Sequence, residues 1–210
     1  MECVTSLEKY TILLHNPCGK NVEIKGVQIV KLDDVEMSEQ MALFLTINAC
    51  PHKYVLMTTK PVVLYKRFYS LILLNIQIFE EFVVDLSRCT KVERFPLLSE
   101  IKTYIYDLVV TLRYCRFIHR GVPTYILRML NDYVYWLAHT EGIDYVTPAM
   151  VQRAFRDILP FQLDRLIIDK PSQDLSTMYG SNLELVKELM SVINKEDIVE
   201  MIINKVDTPI

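Results

Sequence analysis

Glycine is scarce in this 210-residue chain, with five in all, and only Gly19 is followed by a lysine. A loop that cradles phosphate on backbone N–H groups needs two glycines, a lysine and a hydroxyl residue at fixed spacing. Around Cys18-Gly19-Lys20-Asn21, Leu14 stands where the first glycine would be, and Asn21 replaces the hydroxyl residue. Cysteine pairs are also lacking. Cys3, Cys18, Cys50, Cys89 and Cys115 are scattered and odd in number, which excludes a disulfide framework and a zinc knuckle and marks them as reduced, half-buried side chains. His15, His52, His119 and His139 have no i,i+4 partner and no cysteine at ligand spacing, so no metal and no other cofactor is expected. No nucleophile–histidine–acid set is legible in the order of residues.

Secretion signals are missing as well: no basic segment followed by an apolar stretch and a small-residue cleavage site opens the sequence, and an intracellular protein of the nucleus or cytoplasm is expected. The most apolar window, Phe68 to Phe79, is interrupted by Asn75 and Gln77 and falls well short of the roughly 20 residues that cross a bilayer. No membrane partner is expected. A net charge of −3 and a pI near 5.8 give no global attraction to phosphate backbones. What is abundant is apolar surface. Hydrophobic residues make up 51% of the chain, and the mean hydropathy of +0.19 points to surface covered by a protein partner or a second copy.

Along the chain, Val27 to Leu32, Tyr54 to Thr58 and Phe82 to Leu86 are short β-branched or aromatic runs of the kind that form buried strands. Between the first two, Ser38 to Ile47 predicts a helix capped by Ser38, with Met41, Phe44 and Leu45 on one face. Strand, helix and strand in about thirty residues is the size of a βαβ unit, so a small parallel sheet is expected. After Pro96 the periodicity becomes helical. Ile101, Ile105, Leu108 and Leu112 predict a helix over Ser99 to Arg116 capped by Ser99. A second helix runs from Thr124 to His139 and is stopped by Gly142. A third is capped by Thr147 with Pro148 at its first position. Beyond the Tyr179-Gly180-Ser181 turn, two more helices are expected over Leu183 to Ile193 and Lys195 to Val206.

Tyr104-Ile105-Tyr106-Asp107-Leu108-Val109-Val110, Leu112-Arg113, Gly121-x-Pro123, and Glu141-Gly142-x-Asp144-Tyr145-Val146-Thr147-Pro148, closing on Ile158-Leu159, resemble the helical lid of MoxR and magnesium-chelatase AAA+ ATPases. The resemblance implies that the preceding strands are a degenerate AAA+ core. Ile29 to Asp34 then stands at the Walker B strand, and Asp33 and Asp34 are its vestigial acids. A strand running into an acidic turn reads equally well, since the family's second acid is a glutamate and Lys31 interrupts the strand. Thr58 or Thr59 corresponds to the sensor asparagine, and Thr124-Tyr125 replaces the lid arginine. Arg67-Phe68 lies too early for the arginine finger. Lys20 and Asp33 lie too close in sequence for the helix and strand that the family places between them. Each missing contact to a transferring phosphate costs several kcal/mol, so no hydrolysis is expected and the chain is read as no enzyme.

The match continues through Phe161-x-Leu163, Met178-Tyr179-Gly180-Ser181, Leu185-Val186-x-x-x-Leu189, Val206 and Pro209, and in this stretch the chain resembles the fungal maintenance-of-telomere-capping proteins that carry a degenerate magnesium-chelatase-like AAA+ region. The resemblance covers residues from about 22 onward, and implies an indirect part in telomere capping with no catalytic residue. The expected architecture is α/β plus all-α: a degenerate core over 1–95, a helical lid over 96–168 and a two-helix extension over 169–210. Its expected function is that of a pseudo-AAA+ scaffold that binds protein partners or itself. The alternative is a nucleic-acid-binding accessory protein using Arg113, Arg116 and Arg120, which fall close to one face with Tyr114 and Phe117 beside it; a solvated face gives the same pattern.

Overall fold

The computed structural model describes residues 9–79, 82–85, 95–115, 117–118, 122–163, 184–185, 188, 192 and 194–209; of these, the side chains of His52 and of 82–85 are left undescribed. The chain divides into two compact units, Met1–Arg94 and Phe95–Ile210.

In the first unit β1 (Thr11–His15), β3 (Gln28–Lys31), β4 (Tyr54–Thr58) and β5 (Ile72–Gln77) form a four-stranded parallel sheet in the order β3-β4-β1-β5. A separate parallel pair joins β2 (Val22–Lys25) to β6 (Phe82–Asp85). Helix α1 (Met37–Ala49) connects β3 to β4, the crossover that a parallel pair requires. Alternation along the strands sorts the core. Leu14, Val55, Met57 and Ile78 cluster on one face, joined by Ile12, Ile29, Ile76 and, from β2, Val22 and Ile24. Leu13 and Leu56, also buried, point to the opposite face. Phe44 of α1 meets the rings of Tyr65 and Phe68 edge-on, each at 5.7 Å.

Two expectations for α1 are corrected. The cap is Glu36 rather than Ser38: the Glu36 side chain accepts the Glu39 N–H, and the Glu39 carboxylate accepts the Glu36 N–H at 3.3 Å. The inward face is Gln40, Phe44 and Ile47, which leaves Met41 and Leu45 exposed. Gln40 accounts for this rotation. Its Nε2 donates to the carbonyls of Val35 (3.2 Å) and Val63 (3.1 Å), and its Oε1 accepts the Tyr65 N–H at 2.9 Å. A buried amide with its bonds satisfied this way outweighs the alignment of two thioether and aliphatic side chains.

The second unit contains α2 (Ser99–Arg113), α3 (Thr124–Thr140), α4 (Pro148–Leu163) and α5 (Lys195–Lys205). Ile105, Leu108, Ile126, Met129, Phe155, Ile158 and Ile202 are each almost fully buried in its core. Ser99 lies inside α2 rather than capping it; Leu98 takes the cap position without a side-chain bond, and the helix ends at Arg113 rather than at Arg116. The stop after α3 is a Schellman turn. Gly142 adopts φ +71, its N–H reaches the His139 carbonyl (3.1 Å), and the Ile143 N–H reaches that of Ala138 (3.0 Å), the pairing that a left-handed residue after a helix allows. Helix α5 begins with an Asn194–Asp197 capping box. It is joined to α4 by a forked ion pair, Arg156 Nε and Nη2 to the two Glu200 oxygens at 2.6 and 3.0 Å. The expected Met178 to Ser181 turn lies outside the described residues, as does most of the helix expected over Leu183 to Ile193.

Thr147 caps α4 as its type suggests, its Oγ1 accepting the Met150 N–H at 3.3 Å. Thr147→Ala is expected to lower stability by about 1 kcal/mol, read as a lower melting temperature in calorimetry; an unchanged melt would remove the capping role.

Candidate functional site

Open parallel sheets gather ligands at the carboxyl ends of their strands, and here the ends of β3, β4 and β1 bring together Asp33, Asp34, Thr58, Thr59, Lys60, His15 and Asn16. The segment after β1 carries the Gly19-Lys20 pair. Asn16 is buried, and its N–H extends the ladder to the Thr58 carbonyl at 2.8 Å. Its side chain closes the turn: Oδ1 accepts the Lys20 N–H (2.9 Å) and Nδ2 donates to the Lys20 carbonyl (2.8 Å). The Gly19 N–H is bonded to the Asn16 carbonyl at 3.2 Å, and Gly19 itself sits at φ +60. The chain then passes directly into β2. Two of the backbone donors that a phosphate would need are consumed by the turn, and no helix N-terminus follows to add its dipole.

Asp33 lies just past the end of β3, and its carboxylate faces backbone. Its Oδ1 accepts the N–H groups of Thr59 (2.6 Å) and Lys60 (3.3 Å), stapling the loop after β4 to the loop after β3. Desolvation works to raise its pKa. The bonds from Thr59 and Lys60 and the Lys60 charge outweigh it and hold the carboxyl below the usual carboxylate value. Asp34 pairs with Lys60 Nζ at 2.7 Å, with both side chains largely in solvent, a pair of little consequence for stability. The same contact holds the Lys60 ammonium above its usual pKa. His15 and Thr58 meet across the β1–β4 pair, Nδ1 to Oγ1 at 3.2 Å. Among the described residues no group of three or more His, Cys, Asp or Glu could hold a metal ion.

Sequence reasoning marked Asp33, Asp34, Thr58 and Thr59, and the structure brings these four together. It missed Asn16, His15 and Lys60, which complete the strand ends. The run Thr11 to Leu14, followed after His15 by Asn16-Pro17-Cys18-Gly19, is the strand-and-turn signal that could have located the first two. Of the basic face, Arg113 is exposed on the last turn of α2 with Tyr114 beside it, whereas Arg116 and Arg120 lie outside the described residues. Within the same unit an open groove of about 490 Å³ is lined by Ser99, Tyr104, Asp107 and Asp207, among others. The Tyr104 hydroxyl there accepts Gln152 Nε2 at 3.0 Å.

A parallel α/β sheet followed by packed helices, with acids at the end of β3, defines an AAA+-like architecture. The structure is similar to that of a candidate ATPase from Cytophaga hutchinsonii, with a TM-score of 0.64 over 99% of this chain and 88% of that one; at 14% identity the likeness shows the fold alone. By sequence the chain is similar to Maintenance of telomere capping protein 2 of Kluyveromyces lactis, 36% identical over 99 residues that cover 43% of this chain and 34% of that protein. The protein of the same name from Lachancea thermotolerans is 31% identical over 99 residues, covering 45% and 34% respectively. Over these 99 residues the chain is thus similar to fungal proteins of that name. The chain spans about a third of the length of the curated relatives it matches. No family model matches it.

Asp33→Ala frees two backbone amides and is expected to cost about 1–2 kcal/mol near neutral pH. Because the folded carboxyl titrates below its unfolded value, its contribution is complete above the unfolded pKa and is lost as pH falls through the lowered folded pKa. Denaturant melts of the two proteins should therefore differ near neutral pH and draw together in acid, as pH falls through the lowered folded pKa; a difference undiminished in acid would remove the staple.

Proposed function

We propose that this protein works by binding other macromolecules, in a telomere-linked role inside the cell and in its nucleus, and that it turns over no substrate. The observation that carries this reading is the turn after β1. A nucleotide site at the strand ends would have to open the Asn16–Lys20 closure and release Asp33 from Thr59 and Lys60, giving up hydrogen bonds that are already made. The name borne by the fungal relatives supports the telomere link. No described helix is long and apolar enough to cross a membrane. The protein surface left over for contact is apolar in several places, including Leu45, Val63, Phe79 and Leu98.

A second reading, a nucleic-acid face, is favoured by one observation: Arg113 and Lys102 are exposed on α2, with Tyr106 53% and Tyr114 82% exposed nearby, the mixture of cation and ring on which single strands stack. Salt separates the two. Binding through phosphates weakens steeply between about 50 and 200 mM salt, whereas an apolar protein contact does not. Calorimetry with Mg-ATP tests the main reading: no heat of binding is expected, and a dissociation constant below about 100 μM, roughly −5.5 kcal/mol, would sink it.

A further inference from the structure

A hydroxyl residue stands directly before proline at two places in the chain, Thr147-Pro148 and Thr208-Pro209, and the structure gives them opposite settings. Thr147 is half-buried, its Oγ1 holds the Met150 N–H, and Pro148 already belongs to the first turn of α4. Thr208 is exposed, in a segment without regular structure that follows α5. Val206 leaves that helix in extended backbone, at φ −100 and ψ 126, and a residue before proline is itself held away from the helical region. A modifying enzyme needs an exposed segment that it can draw into its cleft. Thr208-Pro209 meets that need, and Thr147-Pro148 could do so only by unwinding the start of α4.

Thr208 also lines the open groove of about 490 Å³ beside the first turns of α2. Three exposed carboxylates line it too, Glu100 and Asp107 from α2 and Asp207 from the segment itself. Among the described residues no lysine or arginine lines it. The favourable place for an anion at the start of α2 is already taken by Glu100. A phosphoryl group adds about −1.5 to −2 charges at neutral pH. Set on Thr208, it would stand among these carboxylates at separations comparable with the roughly 8 Å over which physiological salt leaves charges unscreened.

We propose that Thr208 is a phosphorylation site for a proline-directed protein kinase, and that the phosphate drives the segment after α5 away from α2. The kinase supplies the nucleoside triphosphate. Thr208 Oγ1 bonds to the γ-phosphorus, the bond from that phosphorus to the β–γ bridging oxygen breaks, the nucleoside diphosphate leaves, and the hydroxyl proton passes to the kinase's catalytic base. Withdrawal of Asp207, Thr208 and Pro209 removes one wall of the groove and uncovers the side of α2 that carries Thr103 and Tyr104. The device goes beyond the binding reading, because it holds for whatever macromolecule the chain contacts and uses no nucleotide site of its own.

Incubation of the full chain with Mg-ATP and a cyclin-dependent kinase, followed by intact mass and peptide mapping, tests the site. One phosphoryl group is expected at Thr208, retained in Thr147→Ala and lost in Thr208→Ala. Incorporation at Thr147 in the folded chain, or none at Thr208, would overturn the assignment. Urea melts of the modified and unmodified protein test the repulsion. Phosphorylation should raise the unfolding constant by on the order of tenfold at low salt, and Glu100→Gln or Asp107→Asn should reverse part of that rise in the modified protein alone. A melt that phosphorylation leaves unchanged or shifts toward stability would overturn the release, as would a rise indifferent to both carboxylate variants.

Discussion

Strand β1 is hydrogen-bonded on both sides by parallel neighbours, β4 and β5, and a parallel pair cannot be joined by a tight turn. Every link between strands of this sheet must therefore leave it and return. The β3-to-β4 link is α1, and the β4-to-β5 link passes over β1 through Phe68, which is fully buried. Gln40 holds the first link to the second through Val63 and Tyr65. The carboxyl ends of β3, β4 and β1 are left together at one edge as a geometric result of the same rule, before any side chain there is chosen.

What has been placed at that edge is a set of groups that satisfy one another. In the working enzymes of a phosphate-binding fold, donors are aimed outward and wait for the ligand. Here Asn16 takes up Lys20, Asp33 takes up Thr59 and Lys60, and His15 takes up Thr58. The Asp33 carboxylate, just past the end of β3, braces the loop after β4. Its depressed pKa has the same cause: a carboxylate that accepts backbone N–H groups is favoured in its charged form whether or not a metal is nearby.

The helical unit was largely legible in the sequence because its signals are local. Thr147, Gly142 and the three- and four-residue steps of Ile101, Ile105, Leu108 and Leu112 act within a turn or two of themselves. The sheet was legible only in part. β3 and β4 stood out as β-branched runs, but β1 was passed over because Thr11 to His15 is short and Leu14 was weighed against a glycine it does not replace. The edge strand β5 was hidden inside a longer apolar window, Phe68 to Phe79, whose alternation begins only at Leu74. The face of α1 was misread for a different reason. Periodicity identifies an apolar stripe, but which of two stripes turns inward was decided by a buried amide, Gln40, whose bonds run to residues more than twenty positions away.

The forked Arg156–Glu200 pair and the burial of Ile198, Val199, Ile202 and Ile203 have a bearing on how the chain matures during synthesis. All strands of the sheet lie before residue 86, so that unit can consolidate while translation continues. The helical unit has no such independence from its downstream sequence. Helices α2 and α4 expose the surface that α5 covers until residues 195–205 leave the ribosome, an interval of several seconds at about 5–20 residues per second. Through that interval the nascent chain carries an unshielded apolar seam along α2 and α4.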